Sequence, residues 1–221
     1  MSHLWLIRHG QASFGTANYD MLSELGARQA RRLGEWLARH GHWPERVIHG
    51  TLTRQRETAE ALAEGLAAAG APPPPAFEVH PGLNEHDADA IMRGWLAAGN
   101  PHPEPGDRRA HFKALTAAVL DWQAGRLEGD ETFAAFEARV ADAVGEAARG
   151  PRPVFLVSSG GPIGQAVRAA LGAPAETQIR LQMQVKNASF TRLAGRPERL
   201  TLAGFNETPH LDAEPDLVTW S

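Results

Sequence analysis

A short apolar segment that ends in a basic pair constrains the fold of this chain more than any other feature. Residues 4–7 read Leu-Trp-Leu-Ile without a helical period, and Arg8, His9 and Gly10 follow directly. Such a run predicts a buried β-strand, and the glycine behind it predicts a turn. In α/β proteins, ligands bind in the crevice beyond the carboxyl ends of the strands. The segment therefore predicts that Arg8 and His9 lie at such an edge.

The basic pair suits chemistry at phosphorus. A neutral imidazole is a competent nucleophile, and a neighbouring guanidinium binds phosphoryl oxygens in a fork while it disfavours protonation of the ring. The alternative is that Arg8 and His9 are merely polar residues that close a strand. The pair alone does not decide between these two interpretations, because short motifs match by chance.

The remaining pattern predicts alternating strands and helices. Apolar stripes preceded by capping residues or followed by Gly or Pro predict helices. The predicted helices span 23–41, 52–70, 108–124, 132–148 and 163–171. The predicted strands span 4–7, 46–49, 77–80 and 153–158, and a hairpin spans 185–193 and 200–205 around a turn at 194–197. We expect a single domain over residues 1–221, with an α/β fold of three α/β/α layers, a mainly parallel central sheet and a helical insertion over about 95–150. Residues 95–107 are expected to form a proline-rich loop.

Composition limits the classes of partner. The formal net charge of -4 gives no global reason to expect nucleic acid or an anionic membrane as a partner. The chain has no cysteine, which excludes disulfides, a thiol nucleophile and thiolate metal sites. The first strand begins after two residues, without an apolar signal core, and no segment approaches the length of a membrane span. We therefore expect a cytoplasmic protein, and the sequence leaves its oligomeric state open.

Four further stretches carry a resemblance to a known family. The string LIRHGQ is followed by Leu-Ser-Glu-Leu-Gly at 22–26 with Gln-Ala at 29–30, by Leu-Thr-Arg at 52–54 with Thr-Ala at 58–59, and by Leu-Val-Ser-Ser-Gly-Gly at 156–161. In this order the stretches resemble the histidine phosphatase superfamily, which includes the phosphoglycerate mutases. An ordered set of motifs is far more specific than the tripeptide Arg-His-Gly.

The resemblance implies a role for each matching residue. His9 would be the nucleophile, and Glu85 would be the acid and base that serves the leaving oxygen and then water. Asp87 and Asp89 are rivals for that second role. The residues implied to bind phosphate are Arg8, Gln11, Arg54, Ser159 and Gly160, with Ser13 close by. No metal or other cofactor is expected, because the arginines supply the positive charge.

Two positions depart from the family pattern. Gly15 stands where the mutases usually carry an Asn, which removes an amide donor. Ser159 stands where the family has a second histidine, and a hydroxyl reaches less far and carries no charge. Losing one preorganised donor costs on the order of 10² to 10³ in rate.

We therefore expect a phosphatase, of full or reduced activity, that hydrolyses small phosphomonoesters through a phosphohistidine on His9. A phosphoglycerate mutase and a non-catalytic binder of phosphorylated ligands are the alternatives. The insertion is expected to select the substrate.

Overall fold

The computed structural model describes residues 3–13, 20–127 and 130–220, which form a six-stranded sheet flanked by helices. The strands are β1 (His3–Arg8), β2 (Arg46–His49), β3 (Glu78–Val79), β4 (Val154–Ser158), β5 (Phe190–Arg196) and β6 (Arg199–Glu207). The helices are α1 (Glu24–Arg39), α2 (Thr53–Ala68), α3 (Ala88–Ala97), α4 (Arg108–Gln123), α5 (Phe133–Arg149), α6 (Gly160–Leu171) and α7 (Thr177–Gln182).

The strand order is β3-β2-β4-β1-β5-β6. The first four strands in this order are parallel, and β5 and β6 continue the sheet as an antiparallel pair. The predicted mainly parallel sheet is thus confirmed. In this order β1 lies between β4 and β5, so its carboxyl end opens at the middle of the sheet edge.

Alternate residues of each central strand face two separate hydrophobic clusters, as the twofold period of a strand requires. Leu4 and Leu6 pack into a cluster with α5, whereas Trp5 and Ile7 pack into a cluster with α1 and α2. The expected three layers are therefore present, with α1 and α2 on one face. None of the helices in the described part of the chain has the length and hydropathy that a bilayer crossing requires.

The close crossing of α1 and α2 explains two glycines. A Cβ at Gly34 of α1 would lie 2.1 Å from the carbonyl oxygen of Leu62, and one at Gly65 of α2 would lie 2.1 Å from that of Arg31. Only residues without a side chain let the two helix backbones approach so closely. This crossing fixes α2 against α1 and thereby sets the direction of the first turn of α2.

Several predicted boundaries were wrong. The strand predicted to begin at Val185 begins at Phe190, and the hairpin turn lies at 197–198 instead of 194–197. The loop predicted over 95–107 begins only after α3, a helix whose pattern was missed, as was α7. Helix α6 begins at Gly160 instead of residue 163, so it includes Pro162 as its third residue.

Candidate active site

Parallel pairing brings the basic pair to the carboxyl edge of the sheet, as predicted. Arg8 is in register with Ser158 of β4, and the backbone N–H of His9 donates to the carbonyl of Ser158 at 2.8 Å. His9 itself is 6% exposed. The imidazole therefore lies beyond the strand ends, where α/β folds bind ligands.

Hydrogen bonds on both ring nitrogens define the tautomer of His9. Nδ1 lies 2.7 Å from the carbonyl oxygen of Gly10, which can only accept, so Nδ1 carries the proton. Nε of Arg54 donates to Nε2 of His9 at 3.2 Å. Nε2 therefore carries the lone pair that a nucleophile needs.

The surroundings keep this imidazole neutral. Burial, followed by the charges of Arg8 and Arg54, lowers the pKa of His9 to about 3, against the smaller opposing effects of the Gly10 carbonyl and Glu85. Burial away from water and two nearby cations both disfavour a third positive charge. At neutral pH the lone pair on Nε2 is therefore available.

Arg54 is oriented from the first turn of α2. Its Nη1 lies 2.6 Å from Oδ1 of Asp20, and Oδ2 of the same carboxylate accepts from the backbone N–H of Thr53 at 2.8 Å. Asp20 thus joins the guanidinium to the positive end of the helix. The predicted helix contains Arg54, whereas no sequence signal indicated Asp20, which lies far upstream and matches no motif.

Arg8 is held by backbone carbonyls from the last third of the chain. Its Nη1 donates to the carbonyl of Val185 and, at 2.7 Å, to that of Trp220. The segment before β5 that was predicted as strand thus serves instead as a support for Arg8. Ala188 in this segment has a φ of 52°, in the left-handed region, and its N–H donates to the carbonyl of His9 at 3.2 Å.

Gly10 serves close packing and not the turn that the sequence predicted. A Cβ at Gly10 would lie 2.3 Å from the carbonyl oxygen of Gly26, and one at Gly26 would lie 2.2 Å from that of Gln11. The chain after His9 therefore passes directly against the start of α1. Gly10 also donates its N–H to Oγ1 of Thr58 at 3.1 Å, and Thr58 donates in turn to the carbonyl of Arg54 at 2.6 Å.

Glu85 enters the site behind a short 3₁₀ turn that follows β3. Its Oε2 accepts from the N–H of Gly161 at 3.0 Å, and its Oε1 lies 2.9 Å from Nδ1 of the buried His86. Arg139 of α5 fixes the preceding segment by donating to the carbonyl of Asn84 at 2.7 Å. The carboxylate is thereby aimed at the same space as His9.

This environment keeps Glu85 ionised. Burial by itself would raise the pKa of Glu85, but His86, the N–H of Gly161 and Arg54 together lower it to about 2. Donors and cations around a carboxylate stabilise its charged form. The described site thus combines a neutral imidazole with an ionised carboxylate.

Residues 4–208 match the model of the family described as "Histidine phosphatase superfamily (branch 1)". The chain belongs to the histidine phosphatase superfamily.

Two similar curated proteins are named as phosphatases. The chain is 28% identical over 222 residues to the mouse mitochondrial serine/threonine-protein phosphatase PGAM5, covering 99% of this chain and 66% of that protein. It is 31% identical over 104 residues to the Xenopus laevis PGAM5, covering 46% of this chain and 32% of that protein. The chain thus spans a third to two thirds of the length of these curated relatives.

Two solved structures share the fold of this chain. A mycobacterial glucosyl-3-phosphoglycerate phosphatase in complex with VO3 superposes with a TM-score of 0.63 at 25% identity, covering 93% of this chain and 99% of that one. A structure described as mycobacterial hydrolase 1 gives a TM-score of 0.65 at 25% identity, covering 94% and 99%. The α/β fold of the superfamily is therefore established for this chain.

The structure does not bring every implied superfamily residue to the cavity. The hydroxyl of Ser159 is fully buried and accepts from Nε2 of Gln55 at 2.9 Å, so the prediction that it faces phosphate is corrected. Gln11 donates its backbone N–H to Oε1 of Gln29, and its side-chain oxygen accepts from Ser23, both away from the cavity lining. Ser13 donates to the carbonyl of Leu22 at 2.9 Å. Gly15 lies outside the described residues.

The cavity in front of His9 has a volume of about 1060 Å³. Arg8, His9, Arg54, Glu85 and Gly160 all line it, so the structure brings these predicted residues together. Asp87 and Asp89, the rivals of Glu85, line it as well, but Asp87 also caps α3 by accepting from the N–H of Ala90 at 2.8 Å. The described residues contain no group of three or more His, Cys, Asp or Glu side chains placed to hold a metal ion.

Two further residues of this region were missed. Asn187, which also lines the cavity, donates from Nδ2 to the carbonyl of His9 at 3.4 Å, and Gly161 supplies the N–H that holds Glu85. Backbone N–H groups at the start of a helix favour an anion. The anion at Gly161 is the carboxylate of Glu85, which the sequence pattern does not reveal.

Proposed function

We propose that this chain is a phosphatase that hydrolyses phosphomonoesters through a phosphohistidine intermediate on His9. The observation that carries the proposal is the orientation of the imidazole: Nδ1 is held by the carbonyl of Gly10, and Nε2 faces Arg54 in the cavity. A neutral ring fixed in this tautomer between two guanidinium groups is what in-line attack on a phosphoryl group requires. The phosphatase relatives support the same class of reaction.

In the first step, Nε2 of His9 forms a bond to phosphorus while the ester P–O bond breaks. Arg8 and Arg54 neutralise charge on the equatorial oxygens, and the first N–H groups of α6 add a positive potential. Glu85 gives a proton to the departing alkoxide. For this, the anionic substrate must first raise the proton affinity of Glu85, since like charges disfavour ionisation.

In the second step, water attacks phosphorus and gives a proton to Glu85, which the first step left ionised. The N–P bond breaks, inorganic phosphate leaves, and Glu85 is again protonated. Microscopic reversibility makes one carboxyl group suited to both transfers. In both steps the two arginines supply the positive charge that faces the oxygens of the transferred phosphoryl group.

The decisive experiment measures turnover of p-nitrophenyl phosphate together with trapping of the phosphoenzyme. We expect wild type to turn over the ester and to show a mass gain of one phosphoryl group after rapid quench in alkaline denaturant, in which the N–P bond of phosphohistidine is stable. His9→Ala is expected to lose both, whereas His102→Ala, which removes an exposed imidazole, retains both. Wild-type turnover in His9→Ala would contradict the proposal.

Esters with different leaving groups show whether Glu85 or Asp87 is the general acid. p-Nitrophenolate departs without a proton, whereas an alkoxide needs one, so loss of the acid slows alkyl esters more than p-nitrophenyl phosphate. We expect this selective loss in Glu85→Gln and a uniform, small loss in Asp87→Asn. The reverse pattern would assign the acid to Asp87.

A phosphoglycerate mutase, the alternative function, would convert 3-phosphoglycerate to the 2-isomer in the presence of bisphosphoglycerate.

A further inference from the structure

The part of the cavity beyond the phosphoryl site is strongly acidic. Besides Glu85, the carboxylates of Asp87, Asp89, Glu104 and Asp107 line it. Among the described lining residues the only arginines or lysines are Arg8 and Arg54. Both belong to the phosphoryl end, at the carboxyl edge of the sheet. A ligand that reaches outward from this end thus meets an excess of negative charge.

This distribution opposes any second anion on the substrate. A carboxylate or second phosphate on the leaving group would face carboxylates from α3, from the loop before α4 and from the start of α4. In water, a single pair of unit charges about 4 Å apart changes a binding constant roughly fivefold, and lower local polarity increases the effect. A cation in the same place would be attracted by the same carboxylates.

The cavity also offers apolar surface and borders a buried ring nitrogen. Phe112 and Leu115 of α4 and Met183 behind α7 line it. The imidazole of His86 lines it too, is 3% exposed, and turns Nδ1 toward Glu85, while its Nε2 has no hydrogen-bond partner among the described residues. Apolar side chains next to carboxylates suit a ligand that carries a positive charge on an apolar body.

We propose that this cavity selects phosphomonoesters whose leaving group carries a cationic amine on an apolar body. The inference rests on the proposed function, since it assigns the phosphoryl group to the arginine end. The volume of about 1060 Å³ leaves room for such a leaving group beyond the phosphate. The same chemistry occurs in a small amino-alcohol phosphate and in a phosphoserine next to a lysine, which separate arms of the experiment distinguish.

The test uses three phenyl phosphates that differ only at the 4-position: aminomethyl, ethyl and carboxymethyl. We expect kcat/KM of wild type to favour the amine over the carboxylate by about tenfold or more at low salt, and less at high salt because exposed charges are screened. A phosphoserine peptide with a neighbouring lysine is compared with its glutamate counterpart. Preference for the cation in either series supports the proposal. The series that shows the preference indicates whether the amine belongs to a small ester or to a phosphopeptide.

Variants locate the origin of the preference. Asp89→Asn with Glu104→Gln removes two of the carboxylates and spares Asp87 and Asp107, which cap α3 and α4. We expect this double variant to reduce the preference to about threefold or less. Glu198→Gln, in the exposed hairpin turn, removes an equal charge per site and serves as the control that keeps the preference.

Binding to His9→Ala separates this inference from the proposed function. Affinities of the three esters for that variant report charge selection even when no ester is turned over. Equal affinities and equal kcat/KM, or a preference for the carboxylate, would overturn the inference and leave the phosphatase proposal standing. Absence of turnover in wild type with an intact order of affinities would overturn the proposed reaction alone.

Discussion

Nε of Arg54 donates a hydrogen bond to Nε2 of His9 across 3.2 Å, so the arginine contacts the atom that is proposed to attack phosphorus. Because the same guanidinium is held by Asp20, it is preorganised for the equatorial oxygens of the substrate. We expect Arg54→Ala to lower kcat/KM for p-nitrophenyl phosphate by about 10² to 10³, as for other preorganised donors. Steady-state kinetics check this value.

Arg56 provides a matched control two residues further along the same helix turn. Its side chain is exposed and pairs with Glu60 at 2.7 Å. Exposed pairs of this kind contribute about 0 to 1 kcal/mol to stability. Arg56→Ala is therefore expected to keep activity within about twofold. A similar loss in both variants would mean that the effect of Arg54 is general destabilisation.

The parts of the fold that follow from local pattern were predictable. The strand that carries Arg8 and His9 is continuously apolar because both of its faces are covered by hydrophobic clusters. Ser23 caps α1 by accepting from the N–H of Gly26, as its position before the helical stripe predicted. Such signals lie within one helical turn or one strand, so the sequence alone contains them.

Contacts between distant segments were not predictable from pattern. Gln55 of α2 donates to Ser159, which precedes α6 and lies 104 positions away, and Asp20 pairs with Arg54, 34 positions away. Likewise, the carbonyls that hold Arg8 come from residues more than 170 positions away. Residue types at these positions carry no period and no motif, since the partner alone determines their role.

Ser159 is expected to contribute little to binding of phosphate. Its hydroxyl is fully buried and bonded to Gln55, so it does not reach the cavity. We expect Ser159→Ala to keep kcat/KM within about threefold and to reduce the free energy of unfolding by about 1 kcal/mol, the net value of one neutral hydrogen bond. Kinetics and urea unfolding measure the two effects. A loss of a hundredfold in rate would restore the role that the superfamily pattern implied.

Gly161 is expected to tolerate no side chain, because it touches both Glu85 and His86. A Cβ there would lie 2.0 Å from Oε1 of Glu85 and 2.7 Å from Nδ1 of His86. Gly161→Ala should displace the carboxylate and lower kcat for alkyl phosphates at least as much as Glu85→Gln. Gly145→Ala in α5 is the control, since its Cβ meets nothing nearer than 3.7 Å. That variant is expected to be active and stabilised by up to about 1 kcal/mol.

Binding of an oxyanion is expected to bring a proton to Glu85. In the structure the pKa of Glu85 is lowered to about 2, against the effect of burial, by His86, Gly161 and Arg54. A dianion bound between Arg8 and Arg54 places negative charge beside this carboxylate and so raises its pKa, which means that complex formation takes up protons as pH falls toward 5. Calorimetric titration with tungstate, in two buffers of different ionisation enthalpy, measures the number of protons. We expect uptake in wild type and in Asp87→Asn but not in Glu85→Gln, because an amide cannot accept the proton. Equal uptake in Glu85→Gln would place the proton on another group and remove Glu85 from its role as the acid.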